Sequence, residues 1–465
     1  MPSSELRAQP ALPFLPPAYN RWVWQGSKTL LRWLLRWRTS VAQVNVENWE
    51  QLLHLYRDFA DGKIRLMLAF RHPSVDDPLV LSYGLWHLLP RYAQGEGVAL
   101  PSPVHAHFIY DRGIPLWAGD WVGWLYARLG GIPIRRGQVD RVGLRWARDL
   151  FVNGRFPMMA APEGATNGHN EIVSPLEPGI AQLGFWCVED LQKANRQERV
   201  LVLPVGIQYN YLQARWQHIE RLLGQLEVDM GMPTAPDMDP LPATQFDFGN
   251  AQQNYLYRRL LRLGDRLLSV MADFYRYHYQ QTIPEFSATD DLNVKFQQQL
   301  PVLLDAALRV SETYFGLSGK GTFVDRCRRI EQAGWEFIYR SDIQNWDHLS
   351  LLERGLADWI AEEAHRYMWH MRLVESFVAV TGRYVKDRPT AERFADTLFL
   401  MWDVMARFRG SNPFQRPRLG QQRATIRIGT PLDVSRRWDD YQASRRQAVA
   451  GLTEQLQLAL ESLIR

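Results

Sequence analysis

The stretch AFRHPSVDDPLV, residues 69–80, places a histidine and two adjacent aspartates between an apolar run and a proline. An imidazole such as His72 is the side chain best suited to take a proton from an alcohol near neutral pH. A carboxylate bonded to its other nitrogen, here Asp77, fixes the tautomer and stabilises the imidazolium. An alcohol so activated can attack an acyl thioester directly, without an enzyme nucleophile. None stands out: no Gly-x-Ser-x-Gly elbow occurs, and Cys187 falls in a helix-like stretch. Asp77 has a second reading, because an Asp before Pro78 is also a helix N-cap followed by the favoured first helical residue. The two roles are compatible if one carboxylate oxygen caps and the other faces His72.

Three further stretches set polar residues beside apolar runs: GGIPIRRGQVDR at 130–141, APEGATNGHN at 161–170 and VLPVGIQYN at 202–210. Arg136 has the planar fork that suits a phosphate, with a solvated surface charge as the alternative. Glu163 with Gly164 gives a carboxylate beside a backbone that a ligand can approach closely, or an ordinary exposed turn. GLSGKGT near Lys320 lacks the glycine spacing and the Ser/Thr of a phosphate-binding loop. Glu362 and His365 have no second copy to complete a two-metal helix pair.

The elements that must position these residues alternate. KIRLMLAF (63–70), HFIY, IPI around 133, FPMMAA and VLVLPVGIQYN read as buried strands. Helical patterns lie between them, near 78–90, 116–129, 141–153 and 179–193. Alternation argues an α/β domain with chemistry at the strand ends. Long helical stretches follow, such as YLYRRLLRLGDRLLSVMADFYRYHY, and strand signals return in ATIRIGTPLDV, residues 424–434. The expected division is a flexible proline-rich arm over 1–20 and an α/β core over 21–215. A helical region over 216–420 is a large insertion or extension, and 421–465 carries the last strand and helix of the core.

Composition narrows the partners. The 465 residues are 46% hydrophobic and 22% charged with a net charge of +4, too little basic excess to imply nucleic acid. The 18 Trp are the unusual count, since tryptophan favours sites that are oily on one side and wet on the other. In KTLLRWLLRWR, residues 28–38, Lys28, Arg32 and Arg36 form one helical stripe, while Leu30, Trp33, Leu34 and Trp37 cover the opposite side. That pattern serves a helix lying on a membrane surface, with Trp33, Trp37, Arg32 and Arg36 in contact, or a helix packed on its own domain. Cys187 and Cys327 have no metal-like spacing, so no metal site is expected and a reducing compartment fits. No run spans a bilayer and the first residues carry no secretion pattern, so the expected place is the cytoplasmic side of a membrane, peripherally bound.

Taken in order and spacing, the four polar stretches resemble the four sequence blocks of the glycerolipid acyltransferase family, typified by 1-acyl-glycerol-3-phosphate acyltransferases. His72 and Asp77 match its His-x4-Asp motif, Arg136 the arginine closing its second block, Glu163 and Gly164 its third, and Pro204 the proline of its fourth. The resemblance covers about residues 40–212, and IRIGTPLDVS with the final helix looks like the family's ending. It implies an acyltransferase-type αβ domain and transfer of a fatty acyl group to 1-acyl-glycerol-3-phosphate in phospholipid synthesis. The thioester donor is then acyl-CoA or acyl carrier protein, with no other cofactor. His72 and Asp77 are the implied catalytic pair, and Arg136, Glu163, Gly164 and Thr166 the acceptor-binding residues. Acylation of another lysolipid or of glycerol-3-phosphate is the alternative, as is a non-catalytic membrane-binding protein on the same fold. Where the family's third block often reads Glu-Gly-Thr-Arg, this chain has Glu163, Gly164, Ala165 and Thr166, so an arginine that would help hold a phosphate is absent.

Overall fold

The computed structural model describes residues 7–114, 118–135, 140–233, 247–285, 291–377, 382–413 and 415–465. They fall into two compact units, one of Pro13–Leu212 with Gln421–Arg465 and one of Met1–Leu12 with Gln213–Gly420. The first is α/β and the second is mostly helical.

The α/β unit is built on one mixed sheet. Its strands are β2 (Val41–Glu47), β3 (Ile64–Phe70), β4 (His107–Asp111), β5 (Ile132–Ile134), β6 (Met158–Ala160), β7 (Arg199–Tyr211), β9 (Gln422–Ile428) and the short β10 (Leu432–Asp433); β1 and β8 lie in the other unit. The order across the sheet is β2-β9-β7-β3-β6-β4-β5, with β10 on the start of β7. The run β7-β3-β6-β4-β5 is parallel, whereas β9 is antiparallel to β7 and β2 runs with β9. Every residue of β3 is buried, the near-continuous apolar run expected of a strand covered on both faces. Leu66, Leu68 and Phe70 face a layer with α1 (Arg21–Arg38), α2 (Trp49–Ala60) and α3 (Asp77–Tyr83). Met67 and Ala69 face the helices Arg141–Asn153, Gly179–Lys193 and Arg445–Glu461.

The one charge inside β3 is matched to this layering. The Arg65 guanidinium donates to the carbonyls of Phe151 at 2.7 Å and Gly154 at 2.9 Å, at the C-terminal end of Arg141–Asn153, and lies over the Phe59 ring. Those are carbonyls that a helix end leaves without partners, and a cation there also meets the negative end of the helix dipole. Burial pulls its pKa down to about 10, so it stays charged at neutral pH.

In the helical unit, Trp216–Asp229, Ala251–Tyr279, Leu292–Phe315, Phe323–Ile338, Leu351–Phe377 and Ala391–Phe408 are the main helices. Two buried arginines tie them together: Arg259 to Glu227, and Arg326 to Glu312. The expected flexible arm over 1–20 is corrected in its described part. The Ala8 N–H donates to Asp358, and β1 (Gln9–Pro10) pairs in parallel with β8 (Tyr339–Arg340). In the α/β unit, the N–H groups of Ala18 and Asn20 donate to the carbonyls of Ala127 and Arg128. Prolines already hold the backbone in the extended region, so ordering this segment costs less than the composition suggests.

The two segments of the α/β unit meet as the arms of a hairpin: Tyr211 pairs with Gln422, and the Leu212 N–H donates to the Gln421 carbonyl at 2.9 Å. Residues 213–420 occupy the place of the turn. Joining Leu212 to Gln421 through an Asn-Gly turn is expected to leave a chain that unfolds in one cooperative transition by circular dichroism against denaturant. A chain that aggregates, or loses structure without a sigmoidal transition, would contradict the division.

Candidate active site

Site geometry begins where β3 ends. The Arg71 N–H donates to the Val205 carbonyl of β7, and its buried guanidinium donates to the carbonyls of His169, Asn170, Ile172 and Ile207. A cation is thereby spent on main-chain carbonyls of the loop after β6, and that loop is pinned against the sheet. Asn170 repeats the clamp, exchanging two hydrogen bonds with the backbone of Tyr209 at 2.7 and 2.6 Å.

His72 follows, and its ring is held from one side. Nδ1 lies 2.8 Å from Asp77 Oδ2, and the same oxygen accepts the Ser74 N–H at 2.9 Å. Asp77 Oδ1 accepts the hydroxyl of Tyr209. Asp77 is completely buried, so these three donors replace the water its charge has lost. Burial, and then the Asp77 charge, push the Tyr209 hydroxyl well above the usual tyrosine range, which keeps it a neutral donor. The carboxylate holds the proton on His72 Nδ1, leaving the lone pair of Nε2 to accept. Nε2 lies 3.0 Å from Thr166 Oγ1 on the exposed side. The N-cap reading of Asp77 is not what forms: Asp77 is the first residue of α3, Asp76 precedes it, and no side chain caps the helix.

Glu163 and Gly164 sit differently from a ligand-facing pair. Glu163 is buried; Oε1 accepts the His72 N–H at 2.8 Å, and Oε2 accepts from Asn167 Nδ2 and the Ser174 N–H. It braces the loop from behind the dyad. Gly164 has φ +71°, and an added Cβ would lie 2.2 Å from Glu177 Oε1, so turn geometry and packing explain the glycine. Arg136 lies outside the described residues; β5 ends at Ile134 on the same carboxyl edge as His72, three strands away or roughly 14 Å. The sequence reading passed over Tyr209, Ser74, Asn167 and Arg71. Each lies within one of the four polar stretches, but nothing in those stretches marks its partner.

Cys187 is not a nucleophile here, since burial pushes its thiol up to about 12. Among the described residues no group of His, Cys, Asp and Glu is placed to hold a metal ion.

Helix α1 carries the other predicted contacts. Asn20 caps it by accepting from the N–H groups of Trp22 and Val23. Trp24, Leu31 and Leu35 form a buried face. Trp22, Leu30, Trp33, Leu34 and Trp37 form a second apolar face that is exposed, Trp33 by 68% and Trp37 by 66%, and the two rings stack. Arg32 and Arg36 are exposed along its flank. The helix Asp120–Arg128, which touches α1, exposes Trp121 and Trp124. No described helix is long and apolar enough to cross a membrane.

No family model, curated protein or solved structure matches this chain.

Gly164→Ala is expected to destabilise the α/β unit by about 1–3 kcal/mol, from the positive φ, while the end of the Glu177 side chain can move aside. Denaturant unfolding of the variant beside wild type measures it, and an unchanged midpoint would contradict the turn conformation described.

Proposed function

We propose that the protein is an acyltransferase that moves a fatty acyl group from a thioester to the hydroxyl of a lysophospholipid-like acceptor at a membrane surface. The observation that carries the reading is the dyad: a fully buried carboxylate orients His72 so that Nε2 is presented on an exposed side, beside a hydroxyl. That is a general base poised for O–H deprotonation. The α/β sheet with the dyad at the end of β3 is compatible with an acyltransferase-type domain. The acceptor proposed is 1-acyl-glycerol-3-phosphate, on the four-block resemblance, with Arg136 as its phosphate anchor. Acyl-CoA or acyl carrier protein is the donor.

The membrane part of the reading rests on α1. A helix with one apolar face buried and a second apolar face open, flanked by arginines, has the make-up of an interfacial helix. Arginines near an anionic surface add about 1 kcal/mol each. The protein is then peripheral, on the cytoplasmic side.

Purified protein given acyl-CoA or acyl-acyl carrier protein with a panel of lysolipids and glycerol-3-phosphate is expected to release thiol and form acylated acceptor. His72→Ala is expected to lower that rate on the order of 10²- to 10⁴-fold in protein that remains folded but is less stable, because the buried Asp77 loses a partner, and Asp77→Asn to impair it as well. A folded His72→Ala protein with undiminished turnover would rule the mechanism out.

Replacing Trp33 and Trp37 together with serine is expected to weaken sedimentation with anionic liposomes at least about tenfold. Unchanged binding would mean that α1 is not the attachment.

A further inference from the structure

Thr166 occupies the position that an acceptor hydroxyl needs. Its Oγ1 lies 3.0 Å from His72 Nε2, whose ring is in turn 2.8 Å from the buried Asp77 carboxylate. The three side chains form a hydroxyl–imidazole–carboxylate series, the arrangement by which a weak oxygen nucleophile is activated. Nε2 has one lone pair and can take a proton from one hydroxyl at a time. The hydroxyl already there belongs to the chain.

The neighbours of Thr166 hold it in place. The Asn167 N–H donates to the His72 carbonyl at 3.1 Å, and the Asn167 side chain donates to Glu163, which itself accepts the His72 N–H. The loop segment carrying Thr166 is thus tied to the residue that carries the base. Being β-branched, threonine has few rotamers in which to leave that position. Thr166 is nonetheless exposed, so a bulky thioester can reach it.

On the acyltransferase reading above, we infer that Thr166 is a catalytic nucleophile and that the acyl group passes through an O-acyl-threonine before it reaches the acceptor. In the first step the Thr166 hydroxyl gives its proton to His72 Nε2, Oγ1 bonds to the acyl carbon, the C–S bond breaks, and the departing thiolate takes the proton from the imidazolium. In the second step the acceptor hydroxyl gives its proton to Nε2 and its oxygen bonds to the acyl carbon. The Oγ1–C bond then breaks, and Oγ1 recovers the proton. Each half-reaction begins and ends with neutral His72, and the glutamate-braced loop need not move between them. A thioester is a more activated acyl donor than an oxygen ester, so the first transfer runs downhill and the second exchanges one ester for another.

The test uses the full chain with palmitoyl-CoA, first alone and then with 1-acyl-glycerol-3-phosphate or another lysolipid. Without acceptor, wild type is expected to release about one equivalent of thiol in a burst and to gain the mass of one palmitoyl group on the peptide containing Thr166. Adding acceptor should discharge that adduct into product. Thr166→Ala should form no adduct and transfer at least about 10³-fold more slowly, whereas Thr166→Ser should keep both activities. Varying donor against acceptor should give parallel double-reciprocal lines. Intersecting lines, or transfer by Thr166→Ala within about threefold of wild type, would overturn the covalent step and leave the acyltransferase reading standing. A wild type that acylates neither itself nor any acceptor would overturn that reading, and this inference with it.

Discussion

The buried carboxylate of Asp77 is the constraint on which the site depends. A charge with no exposure is tolerable only when its lone pairs are filled, and removing one partner from such a group costs more than the bond itself is worth. The partners come from three places in the sequence: Ser74 two residues past the histidine, His72 itself, and Tyr209 far along on β7. Tyr209 can reach Asp77 only because β7 lies directly beside β3, in parallel and in a register that pairs Phe70 with Val205. Asn170 and Arg71 hold that strand end and the loop after β6 in the same place. Position of the catalytic imidazole is therefore a property of sheet register as much as of the local motif.

Much of the α/β unit was legible because its central strands are buried on both faces, which writes a continuous apolar run into the sequence. The helices Arg141–Asn153 and Gly179–Lys193 fall where the sequence pattern put them. Edge elements wrote weaker signals. β2 alternates poorly, with only its first residue, Val41, buried, and neither it nor α2 was foreseen. Pro10 hid an ordered strand because composition reports average tendency and not a specific partner such as Arg340.

Within the site, the dyad was legible and its support was not. His72 and Asp77 are close in sequence, so spacing alone suggested their contact. Glu163 illustrates the limit: a glutamate before a glycine reads as a ligand-facing carboxylate, yet its oxygens are taken up by backbone N–H groups and an asparagine that no local pattern identifies. Thr166 was legible as an acceptor-binding residue standing where an arginine is usual, but its distance to Nε2 depends on a fold-back of the whole loop. Helix α1 shows a different limit, because a sequence wheel distinguishes apolar from polar faces but not a buried apolar face from an exposed one.

The interruption between β7 and β9 bears on how the chain comes off the ribosome. β9 sits between β2 and β7, and it is made only after the entire helical unit has emerged. Until then the neighbouring edges of β2 and β7 lack the strand that joins them, and their open backbone groups are a template for pairing with another nascent chain. Closing the gap through an unstructured connection would cost a few kcal/mol more than through a tight turn, at about 0.6 kcal/mol for each doubling of loop length. A helical unit that has already folded shortens that loop, because Gln213 and Gly420 leave it at neighbouring points, next to the bonded pair Leu212 and Gln421. Synthesis order thus makes the inserted helices a folding aid for the sheet that precedes them, and gives chaperones a defined interval in which the half-made sheet needs cover.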